Sequence, residues 1–335
     1  MALDSKTIEA FLATLSEPTL VMRRGVVLHA NGAAKALLGA GIERSDVRLA
    51  IRNPKALGHI LPGKSGDVDV TGIGGFGRPW TISVRELGGE RILVRFIDKS
   101  AAAAAEKMRV DFVANASHEL RTPLTAVVGY AETLADDDDL DRAMRIKFGQ
   151  TIRSEARRML RIIEDLMGLS RIEADRFVSP RDIVAVGEVV QSAVEQLRQS
   201  AGLAGDEIVL DVPPGLPTIA GDHAQLQQLC DNLLTNAVRY GRGLDGQPVR
   251  VSVDTVDGSV RITVADSGPG IAPDHLPRLT ERFYRVDTAR SRETGGTGLG
   301  LAIVKHILTR HGARLTIRSS PGEGAAFTVH FAPAA

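Results

Sequence analysis

Cysteine is almost absent from this chain of 335 residues, because Cys230 is its only example. A single thiol cannot form an intrachain disulfide, and it cannot supply a cysteine metal cluster. Such sparse use of cysteine is typical of proteins that work in a reducing compartment. The sequence therefore predicts a cytoplasmic location.

Two further absences concern membranes and nucleic acids. No run of roughly 18 uninterrupted apolar residues is present, so no transmembrane helix is predicted. The N-terminus carries Asp4 and Lys6 and lacks an apolar signal core. Lysine plus arginine equals aspartate plus glutamate at 41 each, and a nucleic-acid-binding protein would show a basic excess. We expect a naturally soluble protein or the cytoplasmic portion of an inner-membrane protein anchored upstream.

The patterns that are present predict a multidomain α+β protein. A length of 335 residues with 43% apolar content favours two or three globular domains. Residues 1–98 contain strand-like runs at Thr19–Met22 and Val26–Ala30, a helix capped by Asn31, and three later β-rich runs. This order of elements resembles a PAS domain. Such domains bind haem, flavin, metabolites or nothing, and His29 and His59 are the only obvious axial candidates here.

Residues 99–176 are predicted to form a helical linker followed by an antiparallel helical hairpin. Apolar or small residues from Val113 to Leu134 recur in steps of four and three, which is a heptad seam. Pro123 interrupts the backbone bonding and predicts a kink, and Asp136 to Asp139 predict a solvated turn. Two long helices bury little by themselves, so we expect a dimeric four-helix bundle.

Residues 181–335 are predicted to form an α/β sandwich. Helices are expected from Val186, from Asp222 to Tyr240, and from Leu299 to His311. Two alternating strands flank an Asp257–Gly258 turn, and two closing strands flank Pro321 to Gly324. His306 and His311 are expected at the surface of the last helix.

Three residues on the first hairpin helix have side chains suited to group transfer. To act as a nucleophile His118 must be neutral, which the ordinary imidazole pKa of about 6.5 permits at cellular pH. Glu119 can orient that ring and take up its proton. Thr122 follows four residues later and shares the helix face of His118. A lone helical histidine is more often structural, so this pattern alone leaves both interpretations open.

Three downstream motifs are suited to a nucleotide, although each has an ordinary alternative. The glycines of Gly296 to Gly300 open a helix, where N–H groups can approach phosphate oxygens, or they form a tight loop. Asn232 and Asn236 offer carboxamide oxygens to Mg²⁺, or they are surface or capping asparagines. Asp266, followed by Ser-Gly-Pro-Gly, can accept a hydrogen bond from an adenine amino group, or it is a turn aspartate.

Taken together and in order, the motifs resemble the transmitter core of bacterial sensor histidine kinases, and they resemble most the group that includes phosphate-regulon sensors. The matching segments are the phosphoacceptor box at Phe112 to Leu124, the N box at Asp231 to Ala237, the first glycine box at Asp266 to Gly270, the F box at Arg282 to Arg285, and the second glycine box at Gly296 to Gly300. The ATP site then resembles the fold shared with gyrase and mismatch-repair ATPases, with residues 268–297 as a mobile lid.

This resemblance implies a role for each residue. His118 is the expected phosphoacceptor and Glu119 its base, and Thr122 positions water for dephosphorylating a partner's aspartate. Asn236 and Asn232 are expected to hold Mg²⁺, and Asp266 to contact adenine. Arg239 takes the place of the family's usual lysine, which leaves its role open. The other expected ATP-binding residues are Tyr240, Gly268, Gly270, Arg285, Gly296, Thr297, Gly298, Leu299 and Gly300.

The resulting hypothesis is an ATP- and Mg²⁺-dependent protein-histidine kinase that acts as a homodimer. It is expected to pass the phosphoryl group to an aspartate of a separate response regulator, because no receiver-like domain follows in the sequence, and to reverse that transfer. Two other classes remain open. One is a non-catalytic scaffold with a degenerate ATP site, and the other is an ATPase of the gyrase or mismatch-repair type.

Overall fold

The computed structural model describes residues 5–137, 139–174, 178–202, 207–241, 247–287 and 296–332. The chain divides into two compact units, Met1–Val113 and Ala114–Ala335. Within the described residues, no helix combines the length and the apolar character needed to cross a bilayer.

The first unit is built on a five-stranded antiparallel sheet with the order β2-β1-β5-β4-β3. Its strands are β1 (Thr19–Arg23), β2 (Val26–Ala30), β3 (Gly66–Thr71), β4 (Pro79–Gly88) and β5 (Arg91–Asp98). The helices are α1 (Ser5–Ala13), α2 (Gly32–Leu38) and α3 (Pro54–Ile60), and a 3₁₀ turn covers Val47–Leu49. The five predicted strands are confirmed. Helix α3 was not predicted, because its seven residues are too short to show a helical period.

Apolar groups cover both faces of this sheet. Leu20 and Met22 pack with Phe96 in the main core, while Val21 points the other way and packs against Ile8 and other residues of α1. Successive side chains of a strand alternate between faces, so β1 serves two cores at once. His29, on β2, places its Nδ1 atom 3.1 Å from Glu9 of α1. That contact holds α1 beside the sheet.

Helix α4 (Ser100–Asp136) crosses the boundary between the two units, and its part from Ala114 onward forms the hairpin of the second unit with α5 (Arg142–Ala174). The predicted linker and the predicted phosphoacceptor segment thus lie on one continuous helix, in which Pro123 is buried. Because proline has no N–H, the carbonyl of Glu119 loses its helical partner at that turn. Tyr130 of α4 and Phe148 of α5 pack with ring centroids 5.0 Å apart. The predicted turn is confirmed by the end of α4 at Asp136, although residue 138 lies outside the described residues.

The α/β sandwich has a mixed five-stranded sheet with the order β11-β12-β10-β9-β7, in which only β7 and β9 are parallel. Its strands are β7 (Ile208–Asp211), β9 (Val249–Val256), β10 (Ser259–Asp266), β11 (Arg314–Ser319) and β12 (Ala325–Phe331). The helices are α6 (Val186–Ala201), α7 (His223–Tyr240) and α8 (Gly300–Arg310). A small second sheet pairs β6 (Asp182–Val184) with β8 (Ile219–Gly221). These two strands were not predicted, because three residues show no alternation.

Local sequence signals account for the ends of several elements. Asp222 caps α7 by accepting a hydrogen bond from the N–H of Gln225 at 3.2 Å. Asp257 and Gly258 both have positive φ angles, of 50° and 77°, as a tight hairpin turn of the predicted kind requires. His311 differs from its predicted place at the surface. Its Nε2 atom accepts a 3.0 Å hydrogen bond from the N–H of Asp222, and burial lowers its pKa, so it is a structural histidine.

A buried polar side chain with several hydrogen bonds gives a test of the stability of the first unit. Asn31 is 5% exposed and makes four hydrogen bonds, to the backbone of Leu15, Glu17, Thr19 and Ala34. Asn31→Ala leaves these groups buried without their partner. We expect it to lower the free energy of unfolding of this unit by about 3 kcal/mol.

The matched control is Asn53→Ala, which removes the half-buried cap of α3 and one hydrogen bond to the Thr71 carbonyl oxygen, and which should cost only about 1 kcal/mol. Urea unfolding followed by tryptophan fluorescence measures both variants. Trp80 is the only tryptophan of the chain and is 3% exposed in this core. Equal losses in the two variants would contradict the interpretation of Asn31.

Candidate functional site

A cavity of about 480 Å³ lies in the second unit between α5, α7, the end of β10 and the loop before α8. Most of the residues predicted to bind a nucleotide line it. They are Asn232, Asn236, Arg239, Tyr240, Asp266, Gly270, Arg285, Gly296, Thr297, Gly298 and Gly300. The predicted lid extends through residues 288–295, which lie outside the described residues. Segments far apart in the sequence thus meet at one cavity.

Two predicted nucleotide residues lie behind the lining and not in it. The side chain of Leu299 is fully buried in the core, and its N–H donates a 3.2 Å hydrogen bond to Oγ1 of Thr297. The backbone of Gly268 is packed against Tyr240, Gly241 and Asp266, where a Cβ atom would lie 2.6 Å from the Tyr240 carbonyl oxygen. Both residues support the shape of the cavity from behind.

Two glycines of the site are required by the backbone itself. Gly270 has a φ of +70°, and a Cβ atom on it would lie 1.9 Å from the carbonyl oxygen of Ser320. Gly298 has a φ of +73°, and its Cβ atom would lie 2.9 Å from the backbone of Phe283. The left-handed conformation and the lack of space both exclude other residues. These glycines therefore hold the loops that shape the cavity.

Asp266 ends β10 with its carboxylate at the cavity wall. Its Oδ1 atom accepts hydrogen bonds from the N–H of Gly268 at 2.9 Å and from the N–H of Ala325 at 3.3 Å. Burial raises the pKa of the Asp266 carboxyl, although these two N–H groups act to lower it. Nearby apolar side chains, including Ile271, Leu279 and Phe327, line the same cavity. The arrangement is suited to a flat ring that presents an amino group.

Helix α7 presents its polar face to the cavity. Asn232 donates from Nδ2 to the carbonyl oxygen of Gln228 at 2.9 Å, which directs its Oδ1 atom toward Gly300. Asn236 and Tyr240 follow on the same face, one and two turns later. The described residues contain no cluster of three or more His, Cys, Asp or Glu side chains suited to a metal. A cation here would use carboxamide oxygens together with ligand phosphates, which fits Mg²⁺ chemistry.

Arg285 connects the cavity with the predicted phosphoacceptor segment. Its guanidinium lies 2.8 Å from the Glu119 carboxylate, and Arg158 of α5 contacts the same oxygen at 3.3 Å. The two arginine side chains are only 5% and 8% exposed. Within the described residues, the Nε atoms of both are buried without a hydrogen-bond partner. His118 and Thr122 are exposed on α4, where Thr122 donates to the carbonyl oxygen of His118 at 3.3 Å.

Helix α5 supplies a wall of the cavity that the sequence analysis missed. Arg161, Glu164 and Asp165 all line it. Thr297 donates a hydrogen bond from Oγ1 to Oδ2 of Asp165 at 2.7 Å. Burial is the largest influence on Asp165 and raises the pKa of its carboxyl, whereas the Thr297 bond lowers it.

The same helix packs on the sandwich through a regular stripe. Ile162, Leu169 and Ile172 are buried, and Arg158 and Asp165 complete the steps of four, three, four and three. Glu173, next to the stripe, forms ion pairs with Arg282 and His306. His306 is therefore half-buried and in contact with α5, whereas a surface position was predicted. The heptad spacing of this stripe is present in the sequence, but Arg158 and Asp165 are polar, so the stripe does not show as an apolar pattern.

A second missed feature is the tyrosine wall of the cavity. Tyr284 lines it, and its hydroxyl lies 2.6 Å from Nδ1 of His275. The guanidinium of Arg278 lies 4.2 Å from the centre of the Tyr284 ring. These two contacts hold the Tyr284 ring at its edge and at its face.

Comparison with known protein families agrees with this architecture. Residues 221–335 match the family described as histidine kinase-, DNA gyrase B-, and HSP90-like ATPase. Residues 108–175 match the His Kinase A (phospho-acceptor) domain. A phosphoacceptor hairpin followed by an ATPase-type sandwich defines the kinase core of two-component signalling proteins.

Individual sensor kinases are similar to this chain over most of its length. The phosphate regulon sensor protein PhoR of Pseudomonas aeruginosa is 42% identical over 247 residues, which cover 74% of this chain and 55% of PhoR. The sensor-like histidine kinase SenX3 of Mycolicibacterium smegmatis is 41% identical over 241 residues, which cover 71% of this chain and 62% of SenX3. The chain belongs to the sensor histidine kinases. The similarity spans little more than half of each relative's length.

Among solved structures, full-length ShkA in complex with AMPPNP is 31% identical in sequence. The similarity covers 69% of this chain and 46% of ShkA, with a TM-score of 0.48.

The buried charge of Asp266 gives a test with a defined pH dependence. Because burial raises its pKa, the charged form is disfavoured in the folded protein. Asp266→Asn keeps an acceptor for the two N–H groups and removes the charge. We expect the variant to exceed the wild type in free energy of unfolding at neutral pH, and the difference to vanish below the ordinary aspartate pKa of about 3.9.

Urea unfolding followed by circular dichroism across this pH range measures the difference. Asp257→Asn is the control, because Asp257 is exposed in the hairpin turn, and it should match the wild type at every pH. A difference for Asp266→Asn that grows as the pH falls would refute this account.

Proposed function

We propose that this chain is an ATP-dependent protein-histidine kinase that phosphorylates itself on His118. The phosphoryl group then passes to an aspartate on the receiver domain of a separate response regulator. The observation that carries the proposal is the common cavity. It joins the asparagine, aspartate and glycine motifs of a nucleotide site, and Arg285 links that cavity to Glu119 beside His118.

The cavity accounts for each part of Mg·ATP. Oδ2 of Asp266 accepts from the adenine amino group, because both backbone N–H groups bond to Oδ1. Tyr240 and the apolar wall enclose the base. Arg239 and Arg285 face the phosphates, and the N–H groups at the start of α8 bind phosphate oxygens. Asn236 and Asn232 would hold Mg²⁺, which would supply positive charge beside the phosphates.

The chemistry is a transfer from oxygen to nitrogen. The lone pair of the neutral imidazole of His118 attacks the γ-phosphorus, the new P–N bond forms, and the P–O bond to ADP breaks. Glu119 orients the ring and takes up its proton. In the described arrangement His118 is exposed and Glu119 is held by Arg158 and Arg285. Transfer therefore requires Arg285 to release Glu119 before the nucleotide reaches the histidine.

The same helix supports hydrolysis of the aspartyl phosphate on the partner, which releases inorganic phosphate. Thr122 is exposed one turn after His118, with its hydroxyl anchored on the His118 carbonyl oxygen. We assign to it and to Glu119 the positioning of water against the aspartyl phosphate of the response regulator. Both side chains lie on α4, so the regulator docks on the hairpin.

The remaining assignments concern the whole assembly. The first unit is a PAS-like sensor domain, supported by its five-stranded antiparallel sheet with short flanking helices. The hairpin forms the homodimer, supported by apolar side chains that a single chain leaves exposed, among them Leu124 and Val128 of α4 and Leu160 and Ile163 of α5. The protein works in the cytoplasm, either free or as the cytoplasmic portion of an inner-membrane sensor. The domain limits are 1–98, 99–176 and 181–335.

Labelling with γ-labelled ATP and Mg²⁺ tests the kinase directly. We expect acid-labile, alkali-stable label on the wild type and none on His118→Gln, because the variant lacks the nucleophile. Asn236→Asp should also lose the label, since it places a negative charge beside the phosphates, while it remains dimeric in light scattering.

The matched control is His223→Gln, which removes an exposed histidine at the start of α7 and should keep full labelling. Label that persists in His118→Gln would end the proposal. ATP hydrolysis that is indifferent to His118 would favour an ATPase of the gyrase or mismatch-repair type. Nucleotide binding without any label would favour a scaffold.

The dimer is tested at Leu124, which is 48% exposed on α4. Leu124→Glu places a charge at the centre of the proposed bundle, where it would be buried twice without a partner. We expect the dimer to weaken by at least about tenfold in analytical ultracentrifugation. Val209→Glu is the control, because Val209 is also 48% exposed but lies on β7. Equal behaviour of both variants would argue against a hairpin dimer.

A further inference from the structure

Asp165 of α5 contacts the loop that begins helix α8. A chain of two hydrogen bonds leads from the N–H of Leu299 to Oγ1 of Thr297 at 3.2 Å, and from that hydroxyl to Oδ2 of Asp165 at 2.7 Å. Helix α8 starts directly after, at Gly300. A carboxylate at the first turn of a helix is stabilised by the helix dipole, as a phosphate would be.

The cationic side chains around Asp165 are ones that a triphosphate would also contact. Arg161 and Arg239 line the same cavity, and both favour the ionised form of the Asp165 carboxyl. Glu164 lies beside it and disfavours that form, and burial raises its pKa further. The Asp165 charge is thus costly to bury and is only partly offset by its neighbours. A nucleotide placed here would bring more negative charge to the same cations.

We propose that Asp165 competes with the nucleotide phosphates for Thr297 and for the cationic end of the cavity, so that nucleotide binding and the docking of α8 on α5 oppose each other. The inference rests on the proposed nucleotide site and adds a regulatory residue contributed by the hairpin. Asp165 is a positioning residue for the docked state, since it acts on the sandwich through Thr297.

This coupling explains why polar groups interrupt an otherwise apolar contact. Ile162, Leu169 and Ile172 provide the adhesion between α5 and the sandwich. An apolar residue in place of Asp165 would make the docking insensitive to the nucleotide. With a carboxylate there, bound phosphate repels the Asp165 charge, and α5 then separates from the sandwich. By linkage, any signal that strengthens docking must weaken nucleotide binding by the same factor.

Calorimetric titration of the full chain with Mg²⁺ and a non-hydrolysable ATP analogue tests the proposal. Asp165→Asn keeps an acceptor for the Thr297 hydroxyl and removes the charge. We expect its Kd for the analogue to fall by about fivefold or more. Glu164→Gln removes the same charge from the next residue of the cavity wall. Its Kd should fall by less than about twofold, because the bond from Thr297 is made to Asp165.

An unchanged or higher Kd in Asp165→Asn overturns the inference, because Asp165 would then be neutral toward the nucleotide or help to bind it. An equal fall in both variants also overturns it, since the effect would be general electrostatics. Histidine labelling on the same samples separates the two proposals. Tighter analogue binding in Asp165→Asn without any histidine label would contradict only the proposed kinase activity. Normal label with an unchanged Kd would contradict only the competition by Asp165.

Hydrogen exchange gives a readout that a purely structural role would not move. In the wild type, the analogue should increase exchange in the segment 158–170 of α5, because undocking exposes the stripe around Ile162 and Leu169. In Asp165→Asn that increase should be smaller, because the amide carries no charge to compete with the phosphates. Exchange in this segment that the analogue leaves unchanged in the wild type would contradict the competition.

Discussion

The shared ion pair of Glu119 with Arg158 and Arg285 is the interaction on which the arrangement of the second unit depends. It joins α4, α5 and the sandwich at one point, and both arginines are nearly buried. Buried charges are costly unless every partner is in place, so such a group is stable when complete and weak when one member leaves. Among the described residues, the Nε atoms of both arginines have no hydrogen-bond partner. The contact between the hairpin and the sandwich is therefore expected to weaken when one of these three side chains leaves the group.

Helix α5 serves two surfaces from neighbouring stripes. One stripe, through Leu160, Ile163 and Met167, stays exposed and is available to a second copy of the chain. The other carries Ile162, Asp165 and Leu169 against the sandwich. Because the two stripes lie side by side on one helix, the dimer proposed above would place its interface next to the nucleotide cavity.

The fold was largely predictable where local chemistry decides it. Alternating strands, the Asp222 cap, the Asn31 cap and the Asp257–Gly258 turn each depend on neighbours within a few residues. Predictions failed where a segment is too short to show a period, as for α3, β6 and β8. They also failed for His306 and His311, whose partners Glu173 and Asp222 are more than 80 residues away. No local pattern reports a contact of that kind.

The sequence by itself determined the chemical groups of the site and their order along the chain, because each motif is a short string whose spacing is dictated by one helix turn or one tight loop. The tertiary structure alone decided which of these groups meet. It placed Leu299 and Gly268 behind the cavity, brought Arg285 to Glu119, and added Asp165 from a helix that carries no nucleotide motif. The physical reason is that helix docking depends on the burial of a whole stripe of side chains, and the pattern of that stripe does not specify the surface on which it packs.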